Sequence, residues 1–231
     1  MLLRILKSGW IFLSLYHKYW LTKNLKFMIN GELSLSIAKF YKVCLFGNKE
    51  DDYIAAASRA YRDLCRTIRF KNKEDKKGIE ECRAKVEHLI AHEIKNCLPN
   101  ANQEAYNKFH LELCDKIKEV YRDRYTITYG QAQKWVNMTM KYLCVLSGGN
   151  FTGDYAWLAE FYQYLHVPID GIILDEISEK FSNIELNKDI RWSKINDYNY
   201  YIYIQNKLRE SINTKLPMDW EFTAWNNPEN K

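Results

Sequence analysis

Apolar residues recur along most of this chain at steps of three and four, the period of a helix with a buried face. Over 51–70 the positions are Tyr53, Ala57, Ala60, Tyr61, Leu64 and Ile68, which predicts a helix. A charged run at 71–77 reads as a solvated loop. Further helices follow over 79–97, stopping before Pro99, and over 103–122. The β-branched and aromatic residues at 125–129 form a connector into a helix that begins about Gly130 and runs to Leu146. A loop at 148–153 precedes an aromatic helix at 155–165 with Trp157, Phe161, Tyr162 and Tyr164. Pro168 and Asp170 open a helix over 171–181, another spans 198–211, and the chain ends in an aromatic group at Trp220, Phe222 and Trp225. With only nine glycines and four prolines as punctuation, the reading is all-α.

The helix after Gly130 sorts into two unlike faces. Ala132, Trp135, Val136, Thr139, Met140 and Leu143 share one face, which belongs to a core. Lys134, Met138, Lys141 and Val145 share the other. A fully solvated face has no use for Met138 and Val145 beside its lysines, so this face is expected to be half-buried, like the wall of a cleft.

Composition fits this picture: 231 residues at 47% hydrophobic and 15% aromatic content can bury a substantial core. Charge adds a restriction. Arg4, Lys7, Lys18, Lys23 and Lys26 all precede the first acid, Glu32; with those five set aside, 29 basic residues face 29 acidic ones. The body is neutral, so a broad phosphate-binding surface is not expected, although a few phosphates gripped through helix N-termini remain compatible. Cys44, Cys65, Cys82, Cys97, Cys114 and Cys144 form no Cys-x-x-Cys, so neither a zinc knuckle nor an iron–sulfur loop is spelled out, and free thiols in a reducing cytoplasm are the simplest reading. The apolar stretch at 10–16 is too short for a membrane span and lacks the features of a signal peptide. Residues 1–27 read as a basic and apolar extension, with Met28 as a possible true start, and 28–231 as a single helical domain.

The candidate chemistry lies in two motifs, Thr-Tyr-Gly-Gln-Ala-Gln-Lys-Trp at 128–135 and His-Val-Pro-Ile-Asp at 166–170. A lysine amine must shed its proton to act as a nucleophile, and its ordinary pKa is about 10.4. A helix N-terminus and partial desolvation both disfavour the ammonium, which singles out Lys134. Pro-x-Asp before an apolar helix makes Asp170 an N-cap. Gln133-Lys134 at the head of an apolar helix, with the Pro-x-Asp segment downstream, resembles the helix-hairpin-helix DNA glycosylase superfamily, nearest to its archaeal 8-oxoguanine branch. The hairpin is reduced here to Tyr129-Gly130, and one of two prolines before the aspartate is present.

That resemblance implies a two-lobed helical fold with a cleft between the lobes and an enzyme that flips a base out of duplex DNA. Lys134 would attack the sugar and form a Schiff base, and Asp170 would support the reaction; Lys141, on the same face, is the competing nucleophile. Tyr129 and Gly130 would contact the DNA backbone. Trp135, Phe151, Trp157, His166 and Trp192 are aromatic candidates for the base pocket, with Gln131 and Asp189 as possible readers of the base edge. No metal, cofactor or membrane partner is implied, and a monomer is expected. His88 and His92 could share a metal, but Leu89 stands where a zincin has its acid, and two surface histidines are the simpler reading. Arg83 and His88 also fit the Arg-x4-His pattern of the all-helical HEPN ribonucleases, which supplies an alternative. A non-catalytic helical module binding DNA or protein is another.

Overall fold

The computed structural model describes residues 32–187, 189–213 and 215–227; the expected extension over 1–27 lies outside them. Regular structure among the described residues is helical, nine α-helices and no strand. The chain divides into two units at Gly47. In the first, α1 (Glu32–Phe46) leaves Phe40, Val43 and Leu45 exposed.

The second unit holds the remaining helices, and their starts follow from side-chain caps. Asp51 accepts from the amides of Tyr53 and Ile54 to start α2 (Asp52–Leu64), which tightens into a 3₁₀ turn at Cys65–Thr67. Asp75 caps α3 (Lys76–Asn96), and Asn102 caps α4 (Gln103–Tyr121). Thr128 and Gln131 form a reciprocal capping box at the head of α5 (Tyr129–Leu146). Asp170 caps α7 (Gly171–Lys180), Asp197 caps α8 (Tyr198–Ser211), and Pro217 opens α9 (Pro217–Trp225).

The expected helix over 155–165 is broken. A 3₁₀ turn at Gly153–Tyr155, the short α6 (Trp157–Phe161) and a second 3₁₀ turn at Tyr162–Tyr164 replace it. Its polar aromatic atoms answer to distant partners, Trp157 Nε1 donating to the Tyr53 hydroxyl and the Tyr162 hydroxyl to Asp219, and these tertiary contacts override local helix propensity.

α5 is the centre of the unit. The alanines of α2, Ala56, Ala57 and Ala60, are buried in the apolar cluster that includes Trp135, whose indole N–H donates to the Ala57 carbonyl at 2.9 Å. α4, α8 and the 3₁₀ turn at Trp192–Lys194 also pack on α5. The face expected to be half-buried is in fact closed, since Lys134, Met138 and Lys141 are each less than 8% exposed. α5 is thus wrapped on both sides, with Tyr129 at its head and Tyr142, Val145 and Leu146 near its end partly exposed.

Two apolar clusters result. One draws on 53–165 together with Met218; the other runs from Val167 to Ala224 and includes Ile173, Ile177, Tyr201 and Ile204. Trp192 packs against both. No helix among the described residues is long and apolar enough to cross a membrane.

Candidate active site

Lys134 and Asp170 meet where the two clusters adjoin. The lysine is carried by α5 and the aspartate by the first residue before α7. Because α5 already begins at Tyr129, Lys134 sits in the second turn, where the helix dipole has largely faded; burial and its partner dominate its surroundings. Its Nζ donates to Asp170 Oδ2 at 2.6 Å, and the other carboxylate oxygen, Oδ1, accepts from the Ile173 amide at 3.0 Å. One oxygen therefore caps α7 while the other holds the lysine. The side chains are 4% and 15% exposed, so the pair reaches solvent mainly on the Asp170 side.

Two turns further along α5, Lys141 pairs with Glu221 of α9 at 2.7 Å. Burial pushes the Glu221 carboxyl above the usual range, opposed by Lys141 and, more weakly, by Lys134; Asp170 adds to the rise. The four groups thus form one electrostatic cluster. The Lys141 ammonium also lies over the rings of Phe222 and Trp225, 4.9 and 5.2 Å from their centroids. Glu221 and Trp225, one helical turn apart, thus set an acid and an aromatic ring beside Lys141. An acid set among aromatic residues at helical spacing, 217–225, is the signal that could have found them.

Behind the pair lies a closed polar network. His110 Nε2 contacts Asn137 Oδ1 at 3.0 Å and its Nδ1 the Tyr198 hydroxyl at 2.8 Å; His166 bridges the Tyr201 hydroxyl and Asn107 Oδ1 at 2.9 and 2.8 Å. Burial lowers both histidines, His110 to about 3 against the hydrogen bond it donates to Asn137, and His166 well below the usual value with His110 and Arg209 contributing. His166, expected in the base pocket, is instead sealed in this network.

The other expected pocket residues scatter. Gln131 is buried, and its amide nitrogen donates to the Thr67 carbonyl and hydroxyl, both at 3.0 Å, and to the Tyr125 hydroxyl at 3.3 Å. Trp135 is core. Phe151 lies half-buried against Tyr162, Trp157 against Tyr53, and Trp192 is half-buried between the clusters. Asp189 is exposed, with a left-handed backbone at φ 58°. The reduced hairpin also serves the fold: the Gly130 amide donates to the Ile195 carbonyl at 2.7 Å, and the Tyr129 hydroxyl donates to Asp115 at 2.7 Å. A Cβ at Gly130 would lie 1.8 Å from the Trp192 oxygen, so this backbone is pressed against protein where a phosphate contact was expected.

Arg83 is ion-paired with Glu80 and, at 3.2 Å, with Glu87, while His88 is exposed. The Arg83 guanidinium is thus engaged by two carboxylates of its own helix. His92 groups with Glu93 and Cys97, their ligand atoms within 4.8 Å of one another, and not with His88. Lys116 already pairs with that Glu93 at 2.8 Å. Comparison with protein-family models, curated proteins and solved structures finds no match for this chain.

Proposed function

We propose that this chain is a DNA glycosylase with abasic-site lyase activity, acting on a damaged or modified base in duplex DNA, with 8-oxoguanine as the first candidate. The observation that carries the reading is the sequestered contact between Lys134 Nζ and Asp170 Oδ2. The two apolar clusters correspond in this reading to the two lobes of a helix-hairpin-helix glycosylase, and the reacting pair to its cleft.

In the reaction Lys134 first loses a proton, for which the Asp170 carboxylate is the nearest acceptor. The free amine attacks C1′, the glycosidic bond breaks, and the base leaves with the bonding electrons and takes up a proton. Ring opening gives the Schiff base; loss of a 2′ proton then expels the 3′ phosphate. Asp170 passes the proton it took from Lys134 to the departing base and, a carboxylate again, stabilises the positive charge of the Schiff base. Lys141, Glu221, Phe222 and Trp225 supply the base pocket, the rings for stacking and the Glu221–Lys141 pair for reading a polar edge.

Borohydride trapping on labelled duplexes bearing 8-oxoguanine, an abasic site or no lesion tests the proposal. An adduct on the 8-oxoguanine duplex that is absent with Lys134→Gln is the expected result, with Asp170→Asn slowing its formation by about 10²-fold or more. Trapping on the abasic duplex alone would reassign the base. No lysine-dependent adduct on any duplex would leave a monofunctional enzyme, the ribonuclease using Arg83 and His88 or a non-catalytic helical module as the better description.

A further inference from the structure

The non-helical link from His166 to Asp170 is bonded by glutamine side chains acting as a neighbouring strand would. Gln205 of α8 accepts from the Val167 amide at 3.0 Å and donates to the Val167 carbonyl at 2.7 Å. Gln133 of α5 repeats the pattern at Ile169, accepting from its amide at 3.2 Å and donating to its carbonyl at 2.8 Å. Pro168 has no N–H, so the two glutamines answer every backbone donor from 167 to 169.

Gln133 has no freedom to turn. It is wholly buried, its Nε2 also donates to the Gly130 carbonyl at 2.9 Å, and Asn137 Nδ2 donates to its Oε1 at 3.0 Å. Gln133 immediately precedes Lys134, and Ile169 immediately precedes Asp170. One clamp therefore stands directly behind both members of the ion pair. We propose that Gln133 is a positioning residue that sets the distance between Lys134 Nζ and Asp170 Oδ2, an inference that rests on reading those two as the reacting pair.

Without the amide, the Ile169 N–H and C=O are stranded away from water. The link must then shift to find partners, and Asp170 shifts with it. Gln205 makes the same bonds beyond Pro168, away from the pair. Comparing the two glutamines separates positioning from the general loss of buried hydrogen bonds.

The first measurement needs no DNA: correlation spectra of the lysine ammonium groups, with the coupling across the hydrogen bond from Lys134 to the Asp170 carboxyl carbon. The full chain shows this coupling, Gln205→Met keeps it, and Gln133→Met and the milder Gln133→Asn lose it. Absence of the coupling in the unaltered chain, its retention in a folded Gln133 variant, or an equal loss in Gln205→Met overturns the proposal. The second is the borohydride-trapping rate on an abasic duplex at saturating DNA. Gln133→Asn falls on the order of 10²-fold with its half-saturation unchanged and its pH profile displaced, as a small misplacement of reacting groups requires, while Gln205→Met stays close to wild type. If the unaltered chain forms no adduct, the glycosylase reading falls and the ammonium coupling still judges Gln133. If it traps and Gln133→Asn traps equally fast, the positioning role falls alone.

Discussion

Lys141 and Glu221 meet with side chains only 8% and 1% exposed, so removing one partner strands the other in a site with little water. Lys141→Met alone is expected to cost about 3–5 kcal/mol in urea unfolding. The double variant Lys141→Met with Glu221→Leu should recover most of that loss, because two apolar side chains of similar size have no charge to desolvate. If the pair belongs to the base pocket, this restored protein still fails to excise the base although it folds, which separates its stability from its function. Residues such as Lys134 and Asp170 were legible in the sequence because each sits in a local motif: Pro168 and the cap mark the aspartate, and a helix start marks the lysine. Glu221 was not, since its partner lies 80 residues away and no local pattern records that meeting. His166 shows the opposite failure: its motif is visible, but burial converts a polar candidate into an internal strut.

At the scale of elements, two glycines beside the site call for opposite outcomes. The head of α5 is docked on the turn at Trp192–Lys194, and Gly130→Ala forces a methyl into the Trp192 carbonyl, an overpacking expected to cost about 1–3 kcal/mol or more. Gly171, at the head of α7, has no atom within 4 Å of an added Cβ, so Gly171→Ala should raise stability by about 0.4–1 kcal/mol, read as a higher melting temperature. The join of α4, α5 and α8 through His110, Asn137, Tyr198 and Tyr201 carries a pH dependence. Both histidines are depressed in the fold and so bind protons more readily once unfolded. Their contribution is complete above about pH 6.5 and is lost as pH falls towards the folded value, at about 1.4 kcal/mol per unit for each. Urea titrations between pH 4 and 7 should show that slope, halved in His110→Gln. Most helices here were legible because caps such as Asp51, Thr128 and Asp170 act locally. The broken segment around α6 was not, since Tyr53 and Asp219 draw its rings aside from far along the chain.

In the molecule as a whole, the buried members of both clusters come from 53–224, so a chain starting at Asn48 is expected to keep a single cooperative calorimetric transition. Loss of cooperativity in that chain would show that 1–47 complete the core. The sequence placed one apolar face on α5 and a cleft wall opposite; a helical wheel counts residue types and cannot see that α9 returns from the end of the chain to cover Lys141. That enclosure has a dynamic consequence. Segments with few buried contacts open by themselves, whereas a helix wrapped by its neighbours exposes its amides only when those neighbours part. Hydrogen exchange at the amides of 134–141 should therefore proceed through global unfolding, with the same denaturant dependence as the whole protein. If Lys134 is the nucleophile, heat should accordingly abolish its trapping at the melting temperature and no earlier, because this lysine has no private way to fail.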